Sequence, residues 1–423
     1  MHDCKRLDRL GKLCAGATGG QGDSLEYNNA PVSERGLIVL LAAITMLAPF
    51  AIDAYLPAFP QMVIDLNAPI ASIQMTLAAF LLGFTLGPLI TGPISDAVGR
   101  RPVILAGLFG FGVFSLACAS SENVDYLIVF RFCQAFAGSA SLVAGRALLA
   151  DVYRGDVLAQ KNSLISMFLA LAPMLAPVIG GWLAETWDWR MIFWVMSLAS
   201  GVAVLASFSK MPETLPPAKR TSLHLGAVFR GYLAVLRNRV AMTYACAIAG
   251  MMAVFFTYIA ATPFLYIQTY GLSIGAYSML FGAGAGLAMV ANYLNIAAVK
   301  RFGYRQVLLV QGMLVMGLGV VAFGGAFGLF GRWAIFLPGL LFMPFLHVIG
   351  GNSLTGAMDQ FEHNKGIASA FLLAMRFGTG VIAVAIVSAV GGEVEIRYGL
   401  ILFVFAAFSG IAAQMAVRWD LGN

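Results

Sequence analysis

LIVLLAAITMLAPFAIDAYLPAFP, residues 37–60, is an apolar run of 24 residues that holds one carboxylate, Asp53. A helix rises about 1.5 Å per residue, so roughly 20 apolar residues cross a hydrocarbon layer about 30 Å thick. The run is therefore read as a membrane-spanning helix. No other acidic residue falls inside a long apolar run of this chain. An ionised carboxylate in hydrocarbon is costly, so Asp53 is expected to face a cavity, find a partner or take up a proton. Three arginines, Arg131, Arg146 and Arg376, also fall within or at the ends of such runs. One acid and a few arginines in an apolar body suggest a machine that moves protons or ions against something else.

Working outward, the 423 residues are 60% hydrophobic and 11% charged, against about 25% charged in soluble domains. Runs long enough to span lie near 37–60, 73–94, 102–120, 125–150, 163–185, 190–209, 240–263, 275–298, 305–327, 333–356, 366–390 and 396–417. They are continuous rather than alternating, which means helices and not a barrel. The expected fold is thus an all-α integral membrane protein of about twelve transmembrane helices in two six-helix halves.

Basic residues set the expected orientation. With the N-terminus inside, 20 of the 26 Lys and Arg fall in cytoplasmic segments. The opposite loops hold only Arg190, Arg332 and Arg397. Positive charge stays inside, so both termini are expected in the cytoplasm. The net charge of +6 is read as this topology signal, and no nucleic-acid partner is expected. The five cysteines form no CxxC pair and are read as free thiols. No GxxxxGK[ST] loop and no His/Cys/Asp cluster with metal-ligand spacing is present, so neither ATP nor a metal is expected.

The polar first 35 residues read as a disordered cytoplasmic tail without the core of a signal peptide. Residues 36–209 form the first half and 240–423 the second. Between them, 210–239 is a cytoplasmic loop whose SLHLGAVFRGYLAVLRN has the spacing of an interfacial helix. The halves echo each other. SDAVGRRPVIL (95–105) follows the second span and VKRFGYRQVLL (299–309) follows the eighth, aligning Gly99 with Gly303 and Arg101 with Arg305. Two halves with a repeated basic loop suit a carrier that rocks around a midplane site. Lys300 stands where Asp96 aligns, so a weaker latch is expected in the second half.

Four motifs carry chemistry. In GPISDAVGRRP (92–102), Gly92 is expected to allow close helix approach, Gly99 the turn, and Asp96 to pair with Arg100 or Arg101 as a cytoplasmic latch. This loop resembles the signature loop of the major facilitator superfamily. RFCQAFAGSASLVAGRALLAD (131–151) resembles that superfamily's fourth-helix motif, Arg131 and Gln134 being three apart on one helix face. The resemblance implies a buried Arg131 in proton or substrate coupling, and charge alone makes it the obvious partner of Asp53. ALAPMLAPVIGGW (170–182) is similar to the antiporter-type fifth-helix motif, with Pro173, Pro177, Gly180 and Gly181 in place and Ala176 where that motif has glycine. AIDAYLPAFPQM (51–62) resembles the first-helix signature of the bicyclomycin and chloramphenicol resistance branch, the Bcr/CflA-type drug:proton antiporters.

These resemblances imply a non-enzymatic, proton-driven exporter of small amphipathic drugs in the bacterial inner membrane, with no cofactor beyond the proton motive force. A monomer in the lipid bilayer is expected, with protons and drug as its partners. Tyr55, Phe84, Gln134, Tyr258, Asn292 and Arg376 are candidates for the substrate cavity. Phe80, Phe264 and Tyr266 are further candidates for stacking, though packing is the competing role. His347 reads as a relay or a hydrogen-bonded core histidine. Trp182, Trp187, Trp189 and Trp194 read as boundary anchors. One acid among several arginines leans toward neutral or weakly charged substrates. A carrier for a native metabolite is the alternative.

Overall fold

The computed structural model describes residues 34–220, 232–329, 333–361 and 365–422. It contains twelve long helices, each apolar enough to cross a membrane, and no strand among the described residues. They are α1 (Glu34–Asp53), α2 (Ile70–Val98), α3 (Arg100–Ala119), α4 (Val124–Val152), α5 (Gly155–Thr186) and α6 (Arg190–Lys210). The second half holds α7 (Arg239–Thr262), α8 (Ile274–Phe302), α9 (Tyr304–Ala326), α10 (Trp333–Asp359), α11 (Lys365–Ala389) and α12 (Val394–Gly422). The expected tail and most of the expected interfacial helix lie outside the described residues; of the latter, 232–237 is helical.

The packing pattern of the first half recurs in the second. α2 and α3 pack on α4, α3 on α6, and α1 on α5; likewise α8 and α9 pack on α10, α9 on α12, and α7 on α11. The halves meet through α2 with α11 and α5 with α8, a pair related by the same six-helix shift. Association inside a bilayer relies on close backbone approach. Gly83 and Gly87 supply it for α2 on α4, where an added methyl would run into the Phe132 carbonyl and the Ser139 hydroxyl. Gly92, expected in that role, is not tight: a methyl there would meet only Val143 at 3.7 Å.

α1 and α7 both break near the same end of the bundle. After Asp53 the chain turns through Leu56–Ala58 into a short helix, Phe59–Asp65. The cause is local. Pro57 has no N–H to give the carbonyl four residues back, which is that of Asp53. In α7, Pro263 begins a wide π-type turn, Pro263–Thr269. Proline therefore ends both central helices where the halves come together.

The opposite, basic end carries two capped turns. Gly99 has φ +121° and Gly303 φ +77°, so each echo of the repeated loop needs its glycine. Arg100 pairs with Asp96 and, at 3.1 Å, with Asp151 of α4. Arg101 instead donates to the Phe208 carbonyl at 2.6 Å. The backbone N–H groups of Arg100 and Arg101 donate to the Glu213 carboxylate at 3.0 and 3.2 Å. A carboxylate there satisfies free donors at the start of α3 and opposes its dipole. Glu213 thus ties the segment after α6 to the basic end of the bundle.

The second-half turn, with Lys300 where Asp96 aligns, draws its acid from elsewhere and, among the described residues, holds one ion pair against two in the first half. Asp420 at the end of α12 supplies the missing acid. It lies 2.7 Å from Arg305 and accepts from Tyr244 at 2.8 Å and Gln360 at 3.1 Å. Asp420→Asn is expected to destabilise the second half by about 2 kcal/mol, the scale of hydrogen bonds to a charged group. A thermal melt in detergent checks this; an unchanged midpoint would show the cluster to be idle.

Candidate functional site

Asp53 is 3% exposed at the last turn of α1. Its Oδ1 is buried without a hydrogen-bond partner, and it forms no ion pair among the described residues. Burying a carboxylate without a partner is strongly unfavourable, whereas a neutral carboxylic acid is tolerated far better. In the other half, the buried Tyr277 of α8 has its hydroxyl 3.2 Å from that of Thr262 on α7.

Arg131 is fully buried on α4, and it does not pair with Asp53. Its guanidinium donates to Gln134 Oε1 at 2.6 Å and to the Ala51 carbonyl at 2.9 Å. The rings of Tyr55 and Phe80 lie 4.2 Å from its carbon, and Phe193 lies 5.5 Å away. Cation–π contacts of this kind gain strength away from water. Arg131 thus grips residues two before and two after Asp53. It fixes the helix break that presents the acid and leaves the acid itself without a counter-charge. Two residues of offset on a helix point a side chain to a different face, which is why charge arithmetic chose the wrong partner. Arg131→Lys removes the planar fork and its stacking. Transport is expected to fall about tenfold, measured as initial drug flux in vesicles with equal protein content.

The other candidates separate into two groups. Tyr55 is buried under Arg131, with its hydroxyl 3.4 Å from Thr76. Gln134 is spent on Arg131 and on Ser115, to which it donates at 2.7 Å. Tyr258 is buried and stacks on Phe281 at 5.9 Å; Phe264 and Tyr266 are buried beside it in the second half. Phe84 packs edge-on against Phe377 of α11 at 4.8 Å, joining the halves. Asn292 is half-buried on α8, and one turn on, Asn295 is knitted to Gln311 and Asn352. Trp189 is not an anchor: it is fully buried and donates to Asp65 at 3.0 Å, while Trp182, Trp187 and Trp194 are exposed.

The fifth-helix glycines sit beside the acid. A methyl group at Gly180 would overlap the carbonyl of Ala54, the residue after Asp53. One at Gly181 would strike the Ser278 hydroxyl of α8 across the interface. Other links between the halves lie from the middle of the bundle to this same end. Gln74 donates to the Ala260 carbonyl at 2.9 Å, the Phe59 and Phe264 rings are 5.8 Å apart, and Gly275 N–H donates to Glu185 at 2.9 Å.

Toward the basic end, three cationic or protonatable residues meet space instead. His347 on α10 and Arg146 on α4 are exposed, and Arg376 on α11 is half-buried. His347 is exposed, so it is not a core residue. At the Asp53 end the two proline breaks pack together. Asp151, Glu213 and Asp420 were missed as partners because their contacts lie 51, 112–113 and 60–176 residues away in sequence.

Two six-helix halves of recurring packing that meet beside a buried acid suit a secondary carrier of the alternating-access type. The family model described as Major Facilitator Superfamily matches residues 41–384, and the chain belongs to that superfamily. The MFS-type transporter YdgK of Bacillus subtilis, itself uncharacterized, is 33% identical over 91% of this chain and 96% of its own length. A bicyclomycin resistance protein homolog of Haemophilus influenzae is 29% identical, covering 83% and 88%. Multidrug resistance protein D of Escherichia coli is 30% identical, covering 82% and 87%. These relatives place the chain with the Bcr/CflA-type branch. Among solved structures, a nucleoside transporter matches with a TM-score of 0.71 at 14% identity, over 90% of this chain and 99% of that one. That likeness bears on the fold alone.

Proposed function

We propose that this carrier exports small amphipathic drugs from the bacterial cytoplasm in exchange for protons, as a monomer in the inner membrane with both termini inside. The observation that carries it is Asp53, a buried carboxyl without a counter-charge, at the break of α1 where the two halves touch. With the basic end placed in the cytoplasm, as the distribution of Lys and Arg favours, the packed proline breaks beside Asp53 form the outer gate.

A proton entering from outside neutralises Asp53, and the neutral acid is the form that burial at the closed outer gate tolerates. Opening on the inner side must then bring water to the acid itself, and the proton leaves to the cytoplasm. Drug then enters from the cytoplasm and the halves rock back. The proton supplies about 2.3 kcal/mol per charge per 100 mV, with the pH difference added. The two relatives named for resistance support the drug-exporting direction over a metabolite carrier.

Energised everted vesicles with a pH-sensitive dye inside test the reading. Addition of chloramphenicol or ethidium is expected to release protons from the lumen as drug is taken up. Accumulation by right-side-out vesicles instead would make the protein an importer.

A further inference from the structure

We propose that a groove between α7 and α12, on the lipid-facing side of the second half, holds one anionic phospholipid of the cytoplasmic leaflet, its phosphate on Arg239 and an acyl chain along α12. The site is separate from Asp53 and from the contacts between the halves.

The groove has a volume of about 490 Å³, and Leu236, Arg239, Phe408, Ile411, Met415 and Trp419 are among the residues that line it. The four from α12 recur every three or four positions, so they form one stripe along that helix. Ser409 and Gln414, on other sides of α12, tie it to its neighbours. Ser409 donates to the Ala247 carbonyl of α7 at 2.8 Å, and Gln414 to the Leu309 carbonyl of α9 at 2.6 Å. The stripe itself is left open: Phe408, Ile411, Met415 and Trp419 are 39 to 52% exposed. Inside a bilayer such a face meets lipid. Of the lining residues only Arg239 is charged. Thr243 spends its hydroxyl on the Arg239 carbonyl of its own helix, at 2.7 Å.

The dimensions fit one leaflet. From Phe408 to Trp419 the helix rises about 16 Å, and half of the hydrocarbon core is about 15 Å thick. Arg239 and Trp419 stand together at the basic end, where tryptophan suits the boundary between headgroups and chains. The Arg239 side chain is exposed and enters no hydrogen bond or ion pair among the described residues. Arg237 and Arg418, close to it and to Trp419 in the chain, are exposed as well. The acid next to Trp419 is Asp420, and it is committed to Arg305, Tyr244 and Gln360.

The groove therefore offers an unmatched guanidinium at its mouth and an apolar trench behind it. A guanidinium presents five N–H donors in a fork that fits a phosphate. A soluble anion would match the arginine and leave the trench unfilled. A lipid of no net charge would fill the trench but bring its own cation to the arginine. An anionic phospholipid satisfies both ends, and basic pockets between helices on the cytoplasmic side suit such headgroups.

The test uses the purified full chain, stripped of lipid in a neutral detergent, with bound lipid counted by native mass spectrometry. Dioleoylphosphatidylglycerol is expected to fill one site at least about tenfold more tightly than dioleoylphosphatidylcholine. Arg239→Gln should weaken phosphatidylglycerol about tenfold or more, the loss typical of a hydrogen bond to a charged group. It should leave phosphatidylcholine within twofold. Ile411→Trp, which fills the trench from an exposed position, should weaken phosphatidylglycerol comparably with Arg239 still in place. Phosphatidylglycerol with brominated chains locates the lipid without either variant. It should quench Trp419, read as the emission difference between wild type and Trp419→Phe. Equal affinity for the two lipids, variants within twofold of wild type, or Trp419 emission untouched by brominated chains would each overturn the site. Displacement of the lipid by glycerol phosphate would make it a plain anion site. Displacement by chloramphenicol or ethidium would make the groove a path for drug, and either result overturns the proposal.

Discussion

Asp53→Asn is expected to abolish drug export driven by a pH gradient, by roughly 100-fold or more, while drug-for-drug exchange without a gradient persists. Asparagine has nearly the shape of the protonated acid and cannot release a proton. The variant is therefore held in the neutral form that burial favours. Because the wild-type carboxyl has a buried oxygen without a partner, its replacement should not destabilise the protein and can raise the melting midpoint. Efflux from everted vesicles, counterflow in proteoliposomes and a detergent melt separate these outcomes. Full gradient-driven export in the variant would remove Asp53 from the mechanism.

The second large effect is expected at Gly180, and it distinguishes two adjacent glycines. At Gly180 an added methyl collides with the Ala54 backbone carbonyl, which sits in the α1 break and cannot swing away. At Gly181 the first obstacle is the Ser278 hydroxyl, the mobile end of a short side chain. Gly180→Ala should cost about 1–3 kcal/mol of stability, the scale of overpacking. It should also displace Asp53 and reduce export to background. Gly181→Ala should keep most of its activity after Ser278 turns to another rotamer. Export assays and melts on the two variants side by side check the ranking. Equal behaviour of the pair would mean that α5 does not set the acid's position.

The difference between those glycines was not readable from GGW at 180–182, and the reason is general to this chain. Span count, helical class and the repeat follow from apolar length and from the recurrence of a basic loop, both properties of neighbouring residues. Asp53 stood out in the same way, as a charge in a run that otherwise excludes charge. Its partner did not follow. Arg131 was chosen by sign alone, but three aromatic rings, Gln134 and a carbonyl hold it. Similarly, Lys300 at the aligned position hid Asp420, which reaches the same turn from the far end of the chain.

The sequence by itself determined that this is a twelve-helix membrane carrier with one intramembrane acid, because the bilayer imposes its cost residue by residue. Only the tertiary structure decided which groups surround that acid, which glycines are tight, and which far-off carboxylates cap the basic turns. Those facts depend on how helices far apart in sequence turn their faces toward one another. Each helix here is apolar over most of its circumference, so no polar stripe announces which side looks inward.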